Sequence, residues 1–447
     1  MKKLLIIGSI LFSIIFNATN TPLHGQTTGS GILNINDSLS LKDIIQQVIK
    51  TYPTIKDAEE GLKAADAKIC LANAAYYPDL SIEGNYTRIG PVPQFSFPGF
   101  GDIQLAPYNN YSANVVLRQR IYDFGKTSDE VAFEHENKNL LTMSLEQSKQ
   151  KLSLAAVGNY YALIYLQEAI RIKDEQLQTL NEHLHFVQKK EATGSATQYE
   201  ILATKVKISG IESQKLDIEA AYKSQLSVLN SLLDEPENTV HYLAQENFSK
   251  NYNYSCDNIF LTALTNRDEI KIAKEKEKLA ELHLDVINNQ NVPTLDMFST
   301  AGMKNGYEPN IFKNTYNFAV GVTVRIPLFD GTKNKNNVLL AGSVVKSSAF
   351  QTQTTEKAIT NELVEAEANY SVANRKVAQF QIQLTQAEKA FALAEVSFKA
   401  GTITNLDLLD AATSLSEAKL YLLKANIDSS INMYKLKAAI GERLYTE

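Results

Sequence analysis

Two patterns of apolar positions alternate along this chain, one with a period of 3.5 residues and one with a period of 2. The first is clearest within residues 332–400. From Ile359 the positions Leu363, Ala366, Tyr370, Ala373, Val377, Phe380, Leu384, Ala387, Phe391, Ala394 and Phe398 step by four and then three, and all twelve are apolar or aromatic. A 3.5-residue period held for over five heptads predicts a helix wound into a left-handed coiled coil. Residues 332–400 contain no proline and a single glycine, Gly342. Helical throughout, the segment is a rod about 100 Å long.

The same register recurs 207 positions earlier, at Leu152, Ala156, Asn159, Leu163, Leu166, Ile170, Lys173, Leu177, Leu180, Leu184 and Val187. The offset also carries Gly401 onto Gly194, Leu409 onto Leu202 and Asp330 onto Asp123. Shared register and shared breakers predict an internal duplication. The first repeat covers residues 25–235 and the second 259–447, with a polar, irregular linker at 236–258. Long helices are expected at 127–193 and 332–400, and return helices at 197–233 and 404–440. Shorter helices precede them, at about 40–51, from Pro53 to about Tyr77, and at 259–265 and 268–290. Thr127 to Glu130 has the spacing of a capping box for the first rod.

The period-2 segments lie ahead of each rod. Leu80, Ile82, Gly84 and Tyr86 alternate with Ser81, Glu83, Asn85 and Thr87; Tyr316, Phe318, Val320, Val322, Val324 and Ile326 alternate with mainly polar or small residues. Strands are expected at 80–89, 110–121, 294–302 and 315–326, with residues 90–109 as a loop rich in proline and glycine. Each is about ten residues, the length a tilted strand needs to cross an outer membrane. Alternation alone also fits two hairpins packed on a core. Export and the absence of a separate core in a chain of long rods favour the membrane.

Export is read from the N-terminus. Lys2 and Lys3 precede an uncharged, mostly apolar run over residues 4–16, too short to span a bilayer and suited to a signal peptide, approximately residues 1–24. No cysteine follows the run to carry a lipid anchor, and no later segment is long and apolar enough to be a membrane helix. A net charge of −6 argues against nucleic acid as a partner. Cys70 and Cys256 form no metal-ligand pair, and nothing in the sequence supports a disulfide between them. His183 and His185 stand two apart on a rod and are expected on its solvated surface. No nucleophilic triad, phosphate loop or zinc spacing is present, so neither an enzyme nor a cofactor is expected.

Four strands leave exposed edges, which lipid does not tolerate, so several chains must pool them. Three chains give twelve strands, continued by rings of twelve helices about 35 Å across at ordinary helix spacing. The expected fold is an α+β membrane protein: a trimeric twelve-stranded β-barrel, four strands per chain, continued by a long coiled-coil α-helical tunnel. Arg118, Arg120 and Arg325 fall on the polar faces near the strand ends that lead into the rods, where they either line the lumen or mark the membrane boundary.

At this point the chain resembles the TolC-like outer-membrane efflux proteins. The run Gly401-Thr402-Ile403-Thr404-Asn405-Leu406-Asp407-Leu408-Leu409-Asp410-Ala411 matches the family's GTxTxxDxLDA tip motif. Residues 194–202 are a weaker copy. Tyr122-Asp123-Phe124-Gly125-Lys126 and Leu328-Phe329-Asp330-Gly331 resemble the family's strand-to-helix junctions. The resemblance implies a homotrimeric exit duct in the outer membrane, its helical tunnel in the periplasm, serving efflux or type I secretion. It implies an adaptor docked at the tips, through Gly194, Ser195, Thr197, Gly401, Thr402, Ile403 and Thr404. An inner-membrane pump of the RND, ABC or MFS class would supply the energy. Asp407 and Asp410 match an acidic ring at the closed periplasmic end, and Glu200 an acidic latch position. From spacing alone Asp407 and Asp410 read as helix N-terminal acids complementing the dipole, and it is the tip motif that favours the ring. Ile403 stands where the family pattern has arginine, which removes the cation for a salt bridge to Glu200 and leaves closure to packing. A secreted coiled-coil scaffold without a pore is the alternative; it accounts for the rods but not for the strands and matching tips.

Overall fold

The computed structural model describes residues 38–99, 101–244 and 259–446. The expected signal peptide, residues 245–258 of the linker and Cys256 lie outside them; Cys70 is a free, exposed thiol.

The chain opens with α1 (Leu41–Thr51), started by a capping box in which Ser40 and Asp43 exchange hydrogen bonds, and α2 (Pro53–Ala74), with proline in its first turn. Strand β1 (Asp79–Arg88) follows, then a hairpin of β2 (Gln94–Phe97) and β3 (Gly101–Gln104), and β4 (Asn109–Tyr122). Residues 90–109 are therefore not merely a loop. Four-residue strands between prolines and glycines carry too little periodicity to be seen in sequence. The first rod, α3 (Lys126–Ala192), leads to α4 (Gln198–Leu233). The second half supplies α5 (Ile259–Asn266), α6 (Asp268–Asn288), β5 (Thr294–Lys304), β6 (Thr315–Arg325), α7 (Lys333–Lys399) and α8 (Asn405–Ile440). Both rods have 67 residues and both return helices 36. Each of their four boundaries differs between the halves by the same 207 positions.

The rods pack as their seams dictate. None of the twelve apolar positions from Ile359 to Phe398 is exposed, and none of the eleven from Leu152 to Val187. Helices α2 and α4 both lie along α3, while α6 and α8 lie along α7. Two 22- and 36-residue helices thus cover one 67-residue rod. The two polar residues in the first seam are paired across it: Asn159 Nδ2 donates to the Gln225 carbonyl at 3.3 Å, and Lys173 Nζ to Gln214 Oε1 at 3.0 Å. Burial pushes the Lys173 ammonium below its ordinary pKa. At the waist, Ile44, Val48, Val157, Tyr160, Leu163, Leu229 and Leu233 form one core and Ile270, Ile359, Leu363 and Leu436 a second. The described part of the linker packs there too: the Leu39 amide donates to the Tyr242 carbonyl, and Tyr160 Oη to that of Ala244.

All four long strands form one antiparallel sheet in the order β1-β4-β5-β6. The pairing of β4 with β5 joins the two halves, so the expected hairpins are not separate. The register aligns Ile82, Val115, Ala301 and Phe318 across one face, and Leu80, Leu117, Ser299 and Val320 in the next row. Ile82 and Phe318 are both more than four-fifths exposed, as an outward apolar band requires. The opposite face is polar. There Arg118 bonds Glu83 at 2.7 Å and Arg120 approaches Asp296 at 3.4 Å. Among the described residues, strands β1 and β6 each have one free edge. No helix among the described residues is long and apolar enough to cross a membrane.

Two glycines on the polar face permit the sheet's close approaches. A Cβ on Gly302 would lie 2.1 Å from the Ala113 carbonyl oxygen, whereas one on Gly321 would meet only the end of the Phe298 ring, at 2.5 Å. A ring can swing and a backbone cannot. Gly302→Val should therefore lower stability by about 1–3 kcal/mol, the usual range for overpacking, and Gly321→Ala by less. Urea unfolding of the detergent-solubilised protein would check the order.

A second prediction concerns the α3–α6 seam, where Glu136 and Glu275 meet. Glu136 accepts from Lys278 Nζ at 2.6 Å and is held down at about 2, chiefly by the hydrogen bond from Glu275 and then by that of Lys278. Burial, then the Glu136 carboxylate, pushes Glu275 up to about 7. The pair thus shares one proton. A raised carboxyl stabilises the fold while protonated, so its contribution is complete below 4.5 and is lost as the pH rises through about 7. Glu275→Gln should abolish this loss, read as a flatter dependence of melting temperature on pH between about 4.5 and 7.

Candidate functional site

At their upper ends the rods follow a sharp junction from the sheet. In the first half Phe124 and Gly125 take left-handed conformations, with φ of 54° and 94°; in the second Gly331 and Thr332 do so, at 69° and 68°. The aspartate ahead of each pair then caps the rod. Asp123 accepts from the Thr127 amide at 3.0 Å and from its hydroxyl; Asp330 accepts from the Asn334 amide at 2.8 Å and from Asn291 Nδ2 at 2.7 Å. The expected Thr127–Glu130 capping box does not form, because Asp123 engages Thr127 first. The four junction residues Asp123, Gly125, Asp330 and Gly331 thus have one local task in both halves: turning strand into helix.

At the lower ends two helical hairpin tips carry the remaining candidates. Gly194 and Gly401 stop the rods with φ of 75° and 76°, a conformation that costs a side-chain-bearing residue far more than glycine. The next amide reaches back into the rod, Ser195 to the Lys190 carbonyl at 2.8 Å and Thr402 to that of Ser397 at 3.0 Å. Thr197 and Thr404 then cap the return helices, each in a complete capping box with the acid three positions on, Glu200 or Asp407. Gly194, Ser195, Thr197, Gly401, Thr402 and Thr404 are exposed, while Ile403 is half-buried against Val187, Ile201, Phe398 and Leu408.

The three candidate acids have different surroundings. Asp407 accepts from the Thr404 hydroxyl at 2.7 Å and amide at 2.9 Å, and these bonds hold its exposed carboxyl below the usual range. It is therefore ionised wherever the pH exceeds 3.8. Glu200 is turned into its own cap, accepting from the Thr197 amide at 3.3 Å. Asp410 is exposed and borders a cavity of about 260 Å³ whose walls include Lys173, Lys207, Gln214 and Glu417. Within one chain Asp407 and Glu200 serve as helix N-terminal acids, and neither is joined to the other half through its carboxylate.

What joins the tips is a set of residues that sequence reasoning passed over. Asn405, the first residue of α8, is only 6% exposed. Its Nδ2 donates to the Glu200 carbonyl and to Thr204 Oγ1, both at 3.3 Å, and its Oδ1 meets His183 Nε2 at 2.6 Å. One amide thus links α3, α4 and α8. The expectation of a solvated surface holds for His185, which is exposed, but fails for His183, which is half-buried. The ring of His183 lies edge-on to Phe398 with centroids 5.0 Å apart, and Lys190 Nζ sits over the Phe398 ring at 4.8 Å. Burial pushes the His183 imidazole below its ordinary pKa of 6.5. The available signal was Phe398 closing the second seam opposite an aromatic pair, His183 and Phe186, on the first rod. Among the described residues no cluster of His, Cys, Asp and Glu is arranged to hold a metal ion.

Comparison with known proteins places this geometry. The family model described as "Outer membrane efflux protein" matches residues 44–234 and 261–442, most of the chain. The outer membrane efflux protein BepC of Brucella suis is 19% identical over 90% of this chain and 86% of its own length. The outer membrane protein TolC of Escherichia coli is 19% identical over 92% of this chain and 84% of its own. Among solved structures, the CmeC outer membrane channel of Campylobacter jejuni superposes with a TM-score of 0.77 at 16% identity, covering 90% of this chain and 85% of that one.

Phe398 is the residue on which the tip packing converges. Phe398→Ala should cost the tip about 3 kcal/mol, as for other buried phenylalanines. Hydrogen exchange should quicken at the first turns of α4 and α8 and stay unchanged at the waist.

Proposed function

The chain belongs to the outer membrane efflux protein family, and we propose that three copies form the exit duct of a tripartite efflux or secretion machine. It is an outer-membrane channel with its helical tunnel in the periplasm, as are the relatives it matches. The observation that carries the trimer is the single open sheet. Its free edges, β1 and β6, need partners in lipid, and copies of the same chain supply them edge to edge. Large apolar side chains left exposed on the rods and return helices support the same reading. Tyr199, Leu202 and Val206 on α4, with Leu339, Leu340 and Phe350 on α7, are each more than half exposed among the described residues.

The exposed residues at the tips, Gly194, Ser195, Thr197, Gly401, Thr402 and Thr404 with Ile403 beside them, are the surface offered to a periplasmic adaptor. An inner-membrane pump of the RND, ABC or MFS class supplies the energy and selects the cargo; this chain catalyses no reaction. Around the three-fold axis, Asp407 and Asp410 bring six carboxylates to the narrow end, with Glu200 close behind on α4. Asp407 is held ionised by its cap, so a ring containing it favours cations and resists anions. Packing about Ile403 takes the place of a salt-bridge latch. Membership in a family of outer-membrane channels leaves the pore-free scaffold without support.

Single-channel recording from the purified protein in a planar bilayer tests the reading. An asparagine at 407 can still accept from the Thr404 amide through its Oδ1, so Asp407→Asn/Asp410→Asn removes charge and keeps that side of the capping box. The wild type should give small, cation-selective openings, and the double variant should lose most of that selectivity. Unchanged selectivity would remove the acidic ring. A folded trimer that gives no openings would remove the duct.

A further inference from the structure

The contact between His183 and Asn405 is one of the side-chain bonds by which the two halves meet at the tip, and its chemistry is fixed by its surroundings. Asn405 spends its Nδ2 hydrogens on the Glu200 carbonyl and Thr204 Oγ1, so its Oδ1 is the acceptor and His183 must donate from Nε2. Thr204 is fully buried, and its own hydroxyl donates to the Glu200 carbonyl at 2.8 Å. The asparagine is consequently held on one side by α4 and on the other by a neutral imidazole of α3. The ring itself packs edge-on to Phe398 of α7 and lines a cavity of about 190 Å³ with Phe186, Phe391 and Leu408.

We propose that His183 is the proton-sensitive member of a neutral clasp that holds the two helical tips together, so that acid at the tip end favours their separation. The proposal rests on the duct reading and names a regulation of its gate. Protonation does not break the Nε2–H···Oδ1 bond. It places a positive charge on a half-buried ring, and that desolvation cost exists only while the tips are packed. The groups facing the ring are mixed. On α3 these are Glu182 and Lys190, on α4 Glu200, on α7 Glu395 and Lys399, and on α8 Asn405, whose neighbour Asp407 is turned into its own cap. Glu200 and Glu395 favour the imidazolium and Lys190 opposes it, but burial outweighs them all and favours the neutral ring. The sign follows: the clasp is complete above about 6.5 and weakens as the pH falls.

The test uses the full-length protein in a planar bilayer, with only the compartment facing the tips taken from about pH 7.5 to about pH 5.5. In the wild type the open probability should rise several-fold on acidification. His183→Gln keeps an amide donor for Asn405 Oδ1 without titrating there; it should stay as closed as the wild type at neutral pH and lose the acid response. His183→Phe keeps the packing but not the bond, and should be more open than wild type at both pH values. Asn405→Ala removes the acceptor, and with it the donors to the Glu200 carbonyl and Thr204 Oγ1, but leaves the titrating ring; it should be more open than wild type at both pH values and still open further in acid, which serves if either His183 variant fails to assemble. An acid response that survives in His183→Gln would overturn the proposal and assign the titration to the carboxylates. No openings in the wild type would overturn the duct reading and the clasp's role with it.

Discussion

Everything in this chain hangs on a seam that buries one residue every three or four positions along a 67-residue helix. No single layer of it is strong. A buried leucine or valine contributes roughly 1.5–3 kcal/mol, and an isolated helix of this composition would be marginal in water. Repetition makes the rod stiff, and stiffness is what lets one chain place a sheet at one end and two tips at the other. The interruptions are informative for the same reason. Lys173 occupies a seam position at the cost of burying an ammonium, and it is kept there by amide oxygens rather than by a carboxylate. Paired amides satisfy a buried cation without adding a second charge that must also be desolvated.

The sheet imposes the opposite constraint. Apart from its capped ends a rod satisfies its backbone groups internally, but a strand cannot, and four strands leave two rows of donors and acceptors open. In water such edges invite aggregation; in lipid each unpaired group costs several kcal/mol. The chain resolves part of this by pairing β4 with β5, which joins its two halves before any other chain is involved. The rest falls to neighbours, which is why the proposed trimer follows from backbone chemistry as well as from kinship. The polar face is compatible with an aqueous interior: Glu83, Arg118, Arg120 and Asp296 pair with one another along it.

Long periodic elements were legible in the sequence, and short or three-dimensional ones were not. The seam from Ile359 to Phe398 fixes both the helix and its buried stripe, since period and burial have the same cause. The glycines at 194 and 401 mark the rod ends because few other residues accept their backbone conformation. By contrast, the hairpin at residues 94–104 is too short for a period to emerge. The cap on α3 was misread because Thr127 satisfies a local spacing rule, while Asp123, on the far side of a left-handed turn, reaches it first. His183 was misplaced for a related reason. Two histidines two apart must face differently, but which one faces the neighbouring helix depends on a packing partner more than 200 residues away.

The duplication also shows where the two halves have stopped being equivalent. Gly194 and Gly401, Thr197 and Thr404, and Glu200 and Asp407 correspond under the common offset, and each pair does the same local work. The clasp does not obey it. The counterpart of His183 is Ala390, that of Asn405 is Gln198 and that of Phe398 is Glu191, so the second rod cannot return the contact that the first one makes. Asp410 likewise corresponds to Ala203. Stopping a rod and capping its return helix are required of any hairpin tip, and both copies keep those residues. Holding one tip against another requires a donor on one side and an acceptor on the other. This chain supplies them from different residue types, so its copies differ, and they do so within the three turns of helix nearest the tips.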